Sequence, residues 1–298
     1  MKSHTWMSLT LAAGAAILLS AAPLSAQEIT LDRQLVGENF RVVTGAGTST
    51  GYTEISAGLN YIDRAGGGVL RPSQDLIELD PKGGAVATHG PIQARFAANA
   101  ETAGGIDFTT ASGNRFRSHP VGLFLYSPKS GQLVDVARVK SSIAELLPPN
   151  QLIYRSCFDG VLADLRITYT KGAIESDVIL QEDVSKLTQG DQAFFGDPSV
   201  RLEVWTEFLE FVKPRVVTHL LQEELDPALR KQMVEPDLFD DVLDFGDLLF
   251  GEGKAFARVA EAVRDEKTPA SIDLSPRGDR MVVAKRWYEA TDGRTFLI

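Results

Sequence analysis

Two-residue alternation of apolar and polar side chains constrains this chain more than any other feature. Ala163, Leu165, Ile167 and Tyr169 alternate with Asp164, Arg166, Thr168 and Thr170. Successive side chains on a strand point to opposite faces, so such a run has one face for a core and one for water. Lys171-Gly172 then turns the chain into Ile174–Leu180. Val200, Leu202, Val204, Thr206 and Phe208 alternate in the same way with Arg201, Glu203, Trp205 and Glu207. The period dominates from about residue 40: Ile55, Ala57, Leu59 and Tyr61 alternate with Ser56, Gly58 and Asn60, and the turn residues of 63–68 lead back through Val69-Leu70 to Leu76–Leu79 as a hairpin. Further short strands are predicted over 85–88, 92–96, 106–109, 121–126 and 132–136. Turns such as Asp80–Gly84 and Ser127–Gly131 separate them. The expected fold class is all-β. It is an antiparallel β-sandwich, one large or two consecutive, with few short helices.

Helical signal is thin. Ser142–Leu147 before Pro148-Pro149 reads as a turn or two of helix, and Asp226-Pro227 opens a helix to Met233 with Asp as its cap. Ala255–Val263 has helical spacing, and a strand beginning at Lys254 competes with it. Lys213-Pro214 divides a sandwich domain, 40–212, from residues 213–298, which form a second β-rich unit or continue the first. Met281–Tyr288 reads as one strand, Thr291–Arg294 as a turn, and Thr295–Ile298 as a returning strand in which the sequence stops. That apolar ending predicts the front part of a longer protein.

Residues 1–26 have the composition of an export signal. A polar start with Lys2 precedes an apolar run, Trp6–Leu24, and Leu24-Ser25-Ala26 supplies small residues before a cut at Gln27. Residues 27–39 read as a linker, and no Cys follows the apolar run to carry a lipid. No later stretch reaches the apolar length of a membrane span. The expected location is therefore periplasmic, cell-surface or extracellular. The whole chain carries −10, and loss of Lys2 makes it one unit more acidic. That charge argues against nucleic acid as a partner. Cys157 is the single cysteine, so no internal disulfide forms, and it reads as a buried inert thiol.

Several motifs look chemical. Gly47-Thr48-Ser49-Thr50-Gly51 matches the G-x-S-x-G turn of serine hydrolases, but a helix does not follow it, and it reads as a loop. Asp244-Phe245-Gly246 reads as a strand end and turn. Asp237, Asp240, Asp241 and Asp244, with Glu235 and Asp247, are the densest acidic cluster and the candidate Ca²⁺ ligands; no other cofactor is expected. His89, His119 and His219 lack metal-ligand spacing. Asp159, Asp164, Glu175 and Asp177 lie on successive strands, as paired carboxylates for glycoside hydrolysis need to, or simply face solvent. Trp205, Trp287 and Tyr288 are the candidate glycan contacts, with Tyr169 a further aromatic of the same kind.

The run Asn150–Leu180, NQLIYRSCFDGVLADLRITYTKGAIESDVIL, resembles a segment from the N-terminal β-rich regions of long exported bacterial surface proteins. Some of those proteins carry rearrangement-hotspot or wall-associated repeats further on. Gly58–Tyr61, Asp75–Leu79, Leu243–Gly246 and Asp292–Ile298 are similar to the same regions. The resemblance covers roughly residues 38–298. It implies an exported β-rich module of uncharacterised function that continues into further sequence, and it carries no catalytic residues. The chain has no YD-type repeats, so no shell or toxin role follows. The functional expectation is a non-catalytic module with a structural, adhesive or glycan-contacting role at the cell surface. Its partner is a glycan or a downstream domain of the same polypeptide. The alternative is a secreted polysaccharide hydrolase or lyase using paired carboxylates.

Overall fold

The computed structural model describes residues 7–12, 40–44, 49–54, 58–64, 66–182, 199–251, 253–256 and 280–298. The predicted linker, 27–39, lies wholly outside them, and so does the predicted leader apart from Met7–Ala12. Strands make up 54% of the chain and helix 2%, arranged as several antiparallel sheets. The chain is therefore all-β and sandwich-like, as its alternation dictates. Two compact units interleave along the sequence. One takes Met1–Arg115, Ser141–Arg155 and Asp164–Ile179; the other takes Phe116–Lys140, Ser156–Ala163 and Leu180–Ile298.

In the first unit β1 (Met7–Ala12), β2 (Phe40–Thr44) and β3 (Ser49–Glu54) form a sheet in the order β1-β3-β2. Ser49–Gly51 of the G-x-S-x-G match are thus strand rather than loop; Gly47 and Thr48 lie outside the described residues. β4 (Asn60–Asp63) and β5 (Val69–Pro72) are the expected hairpin. Its turn is closed by Asp63, whose carbonyl accepts from Gly68 N at 2.8 Å and whose carboxylate accepts from Gly66 N and Arg71 Nε, each at 2.7 Å. β6 (Glu78–Leu79), β7 (Ala85–Ala87), β8 (Gln93–Phe96) and β9 (Ile106–Thr109) form a meander. The β6–β7 turn needs Gly84: its φ is +81°, and a Cβ there would stand 2.1 Å from the Phe96 carbonyl oxygen.

The next two strands, β10 (Arg115–Ser127) and β11 (Gln132–Arg138), belong almost wholly to the second unit. The chain then returns to the first for β12 (Ala144–Leu147), β13 (Gln151–Tyr154), β14 (Ala163–Thr170) and β15 (Ala173–Leu180), a four-stranded sheet in that order. Here the helix expected over Ser142–Leu147 is replaced by strand. Pro148-Pro149 is not a helix stop but part of the hairpin connection that pairs Ala144 with Tyr154 and Leu147 with Gln151. A six-residue window is too short to nucleate helix against a partner strand four residues away.

In β14 burial follows the alternation on its apolar face, whereas in β16 (Arg201–Glu210) Leu202 and Val204 of the apolar face are exposed. Ala163, Leu165, Ile167 and Tyr169 of β14 are all buried, beside Phe96, Leu152 and Ile153. The Tyr169 hydroxyl donates to the Ile92 carbonyl at 2.7 Å, and the Tyr154 hydroxyl to the Ala97 carbonyl at 2.7 Å. Burial also holds the Tyr169 phenol well above its ordinary range, so it remains a donor.

The second unit centres on β16 (Arg201–Glu210), which pairs on one edge with β10 and on the other with the last strand. β17 (Arg215–Gln222), β18 (Leu238–Asp244) and β19 (Leu249–Phe250) form a second sheet, and β20 (Gly253–Phe256) pairs with β21 (Arg280–Val283). Between β17 and β18 lies α1 (Pro227–Arg230), capped by the Asp226 carboxylate, which accepts from Ala228 N at 2.7 Å. This helix is shorter than the expected run to Met233. At Ala255 the strand alternative holds as far as Phe256; residues 257–263 lie outside the described residues. Met281–Tyr288 is not one strand but two, β21 and β22 (Trp287–Glu289), interrupted where Lys285 turns into the interior. The turn at Thr291–Arg294 forms as expected. It leads to β23 (Thr295–Leu297), which is bonded on both sides, to β16 and to β22, with Phe296 only 3% exposed.

Tyr169→Phe should lower the free energy of unfolding by about 1–2 kcal/mol, since it leaves the Ile92 carbonyl buried without its donor. Urea denaturation checks this, with a lower midpoint and an unchanged m-value.

Candidate functional site

The two faces of β16 carry different chemistry. Arg201, Glu203, Trp205 and Glu207 share one face by the two-residue period of the strand. Trp205 lies 5.2 Å between ring centroids from Phe124 of β10 and 5.2 Å from Phe296 of β23, and 6.0 Å from Tyr288 of β22. Tyr288 in turn stacks on Phe296 at 6.4 Å. The four rings form a shelf. Phe124 and Phe296 are its buried floor, Trp205 is half-buried, and Tyr288 is 40% exposed. Two guanidinium groups cover ring faces: Arg138 stands 4.6 Å over Phe124 and Arg294 stands 5.2 Å over Phe296.

Polar groups border the shelf. The indole Nε1 of Trp205 donates to the Glu203 carboxylate at 2.9 Å. Burial raises the Glu203 carboxyl above its ordinary range, with the Trp205 hydrogen bond and the charges of Arg286 and Arg201 opposing it. His119 of β10 faces Glu207 at 3.6 Å, and burial pushes its imidazole down despite that carboxylate. Beyond Arg201 the surface sinks into a cavity of about 380 Å³ lined by Arg201, Gln222, Glu224, Met233, Glu235 and Asp237 among others. Arg201 donates to Glu235 at 2.6 Å, and Arg286 approaches the same carboxylate at 3.8 Å.

Trp287 does not join Tyr288. The two are neighbours on β22 and so point to opposite faces. The Trp287 ring packs with Phe208 and Phe211, each at 5.2 Å, and with Phe245 at 6.0 Å. Phe116 and Phe250 complete that second aromatic cluster through Phe245, at 5.1 and 5.0 Å. Of the three aromatics singled out in the sequence, Trp205 and Tyr288 are brought together and Trp287 is a packing residue. Tyr169 is wholly buried in the other unit.

The acidic cluster of β18 is also separated by the strand period. Asp240 and Asp241 point to opposite faces. Asp240 is fully buried and accepts from Lys285 Nζ at 2.9 and 2.7 Å on its two oxygens and from Lys285 N at 2.9 Å. Asp241 accepts from Thr218 Oγ1 at 2.6 Å and Trp287 N at 3.0 Å. Asp244 accepts from Arg215 at 2.7 Å and Gly246 N at 2.9 Å, and those bonds hold its carboxyl below the usual range. Asp237 is forked by Arg230 at 2.5 and 2.8 Å, with the same effect. Among the described residues no group of three His, Cys, Asp or Glu side chains stands where it could hold a metal ion.

Three of the other four acids are likewise engaged one by one. Asp159 accepts from Arg138 N, Asp177 accepts from Arg166 Nη2 at 2.6 Å, and Glu175 is exposed. Asp164, expected on the solvent face, is 3% exposed, with Arg155 at 3.5 Å. His89 bonds Glu78 at 3.0 Å, and Cys157 is buried, as expected of an inert thiol. Asp244-Phe245-Gly246 is a strand end and turn, with Gly246 at φ +93°.

No family model, curated protein or solved structure matches this chain. Among the described residues no helix is long and apolar enough to cross a membrane.

Because the Glu203 carboxyl is raised in the folded chain, the unfolded chain gives up that proton first. Stability present at acid pH is then lost as pH rises through the folded value. Glu203→Gln keeps an acceptor for Trp205 Nε1 and removes the penalty. Its thermal midpoint should match the parent at acid pH and exceed it at neutral pH, as scanning calorimetry at the two pH values will report.

Proposed function

We propose that this chain is an exported, non-catalytic β-sandwich module that contacts glycan at the bacterial cell surface. The reading includes the N-terminal β-rich region of a long surface protein of the rearrangement-hotspot or wall-associated kind. The observation that carries the glycan contact is the placement of Trp205 and Tyr288 on one sheet face beside the Arg201–Glu235 cavity. The C–H face of a sugar ring packs on an aromatic ring, while its hydroxyls take up planar donors and acceptors at the border. Arg201, Glu235, Gln222 and Glu203 are such groups. The leader composition of residues 1–26 supports export. The Asn150–Leu180 resemblance supports the surface-protein context. Of the four candidate acids for hydrolysis, Asp159, Asp164 and Asp177 are taken up in separate ion pairs or main-chain bonds and Glu175 is exposed, which supports contact without catalysis.

Affinity electrophoresis and calorimetry against a panel of bacterial and plant polysaccharides test the reading. Retardation by at least one neutral polysaccharide is expected. Trp205→Ala and Tyr288→Ala should each weaken it by about tenfold, the worth of one aromatic contact. Trp287→Phe, on the opposite face, should leave it unchanged. Binding by Trp205→Ala at the parental strength, or no binding across the panel, would overturn the glycan contact. Release of new reducing ends would overturn the non-catalytic part.

A further inference from the structure

The Lys285–Asp240 pair has geometry that an ordinary ion pair does not require. Asp240 is fully buried and Lys285 is 9% exposed. The ammonium reaches both carboxylate oxygens, at 2.9 and 2.7 Å, and the Lys285 main-chain N–H holds Oδ1 at 2.9 Å. Asp241 N donates back to the Lys285 carbonyl at 2.9 Å, so the two segments are fixed against each other on the main chain as well. His219, the cross-strand partner of Asp240 in β17, places Nε2 3.9 Å from Oδ2. Its side chain is 38% exposed, whereas Asp240 is wholly buried.

We propose that Lys285 and Asp240 condense to an intramolecular isopeptide cross-link, with His219 relaying the proton. A buried ion pair lowers its desolvation penalty when one proton passes from the ammonium to the carboxylate, leaving an amine beside a carboxylic acid. The Nζ lone pair then adds to Cγ. The Lys285 N–H, already on Oδ1, stabilises the oxyanion that forms there. His219 takes a proton from nitrogen and returns it to the Oδ2 hydroxyl. The Cγ–Oδ2 bond breaks, one water leaves, and the Nζ–Cγ amide remains. The net change is one ammonium and one carboxylate to one amide and one water, with no oxidant, reductant or added reagent. Fixed contact between the reacting groups and the exclusion of bulk water drive the step. Arginine pairs such as Arg166–Asp177 and Arg230–Asp237 lack this route, because a guanidinium stays protonated. The link closes residues 241–284 into a loop. A chain with one cysteine has no disulfide with which to do the same.

Intact-mass spectrometry of the soluble, cooperatively melting full chain, denatured before measurement, decides the matter. The expected mass is short by one water, and protease digestion should give a branched peptide joining the Asp240 and Lys285 segments. Lys285→Met and the double variant Asp240→Asn with Lys285→Met should both show full mass. His219→Gln should show a mixture soon after synthesis that converts about a hundredfold more slowly. Full mass for the parent chain, or a water loss that maps elsewhere, would overturn the cross-link. Conversion of His219→Gln at the parental speed would overturn the relay. None of these outcomes depends on glycan binding.

Discussion

The second unit depends on β16 being hydrogen-bonded along both edges. Its register pairs Thr206 with Leu297 on one side and Trp205 with Gly122 on the other. A shift of one residue on either side would exchange the faces of every side chain on the strand. Trp205 would then leave Phe124 and Phe296, and Phe208 would leave Trp287. The shelf and the inner aromatic cluster are thus two consequences of one ladder. β23 contributes only three residues, yet it fixes that ladder from the outer edge and brings Tyr288 in through its own pairing with β22.

Lys285 shows how one buried charge shapes the chain around it. β21 pairs with β20 and β22 with β23, and between them the main chain leaves the strand from Ala284 to Arg286, where the ammonium enters the interior to meet Asp240. Isolating either charge there would cost several kcal/mol, and the full set of bonds on Asp240 offsets that cost. Asp241, one residue on, repeats the device with neutral donors and fixes the start of β22 through Trp287 N. Both acids therefore hold the break between β21 and β22.

What the sequence made legible was local, and what it left dark was pairing. The hairpin turns at Asp63–Gly68, Asp80–Gly84 and Ser127–Gly131 were readable because Gly, Asp and Pro act on their own neighbours. So was β14, because alternation states which side chains face inward. The strand state of Ala144–Leu147 depends on β13, and the break within Met281–Tyr288 lies at Lys285, bonded to an acid 45 residues away, so neither is written in its own neighbours. The acidic run over 237–244 looked like one site because sequence distance hides the strand period that sends Asp240 and Asp241 apart. Trp287 and Tyr288 were grouped for the same reason. Alternation could have separated both pairs at the outset. Nothing local could have placed Lys285 on Asp240 or Phe124 under Trp205.

The charge pattern of the shelf bears on what it suits. The chain is acidic overall, at −10, yet this face gathers Arg138, Arg201, Arg286 and Arg294 among Glu203, Glu207 and Glu235. Arg138 and Arg294 lie over aromatic rings, so their charge is part of the surface rather than a mobile fringe above it. A polyanion would gain from the arginines and lose to the glutamates within one contact distance, and a polycation the reverse. A hydroxyl both donates and accepts, and so gains from each in turn. Mixed charge at the border of an aromatic surface therefore supports the proposed neutral polyhydroxyl ligand over either kind of polyion.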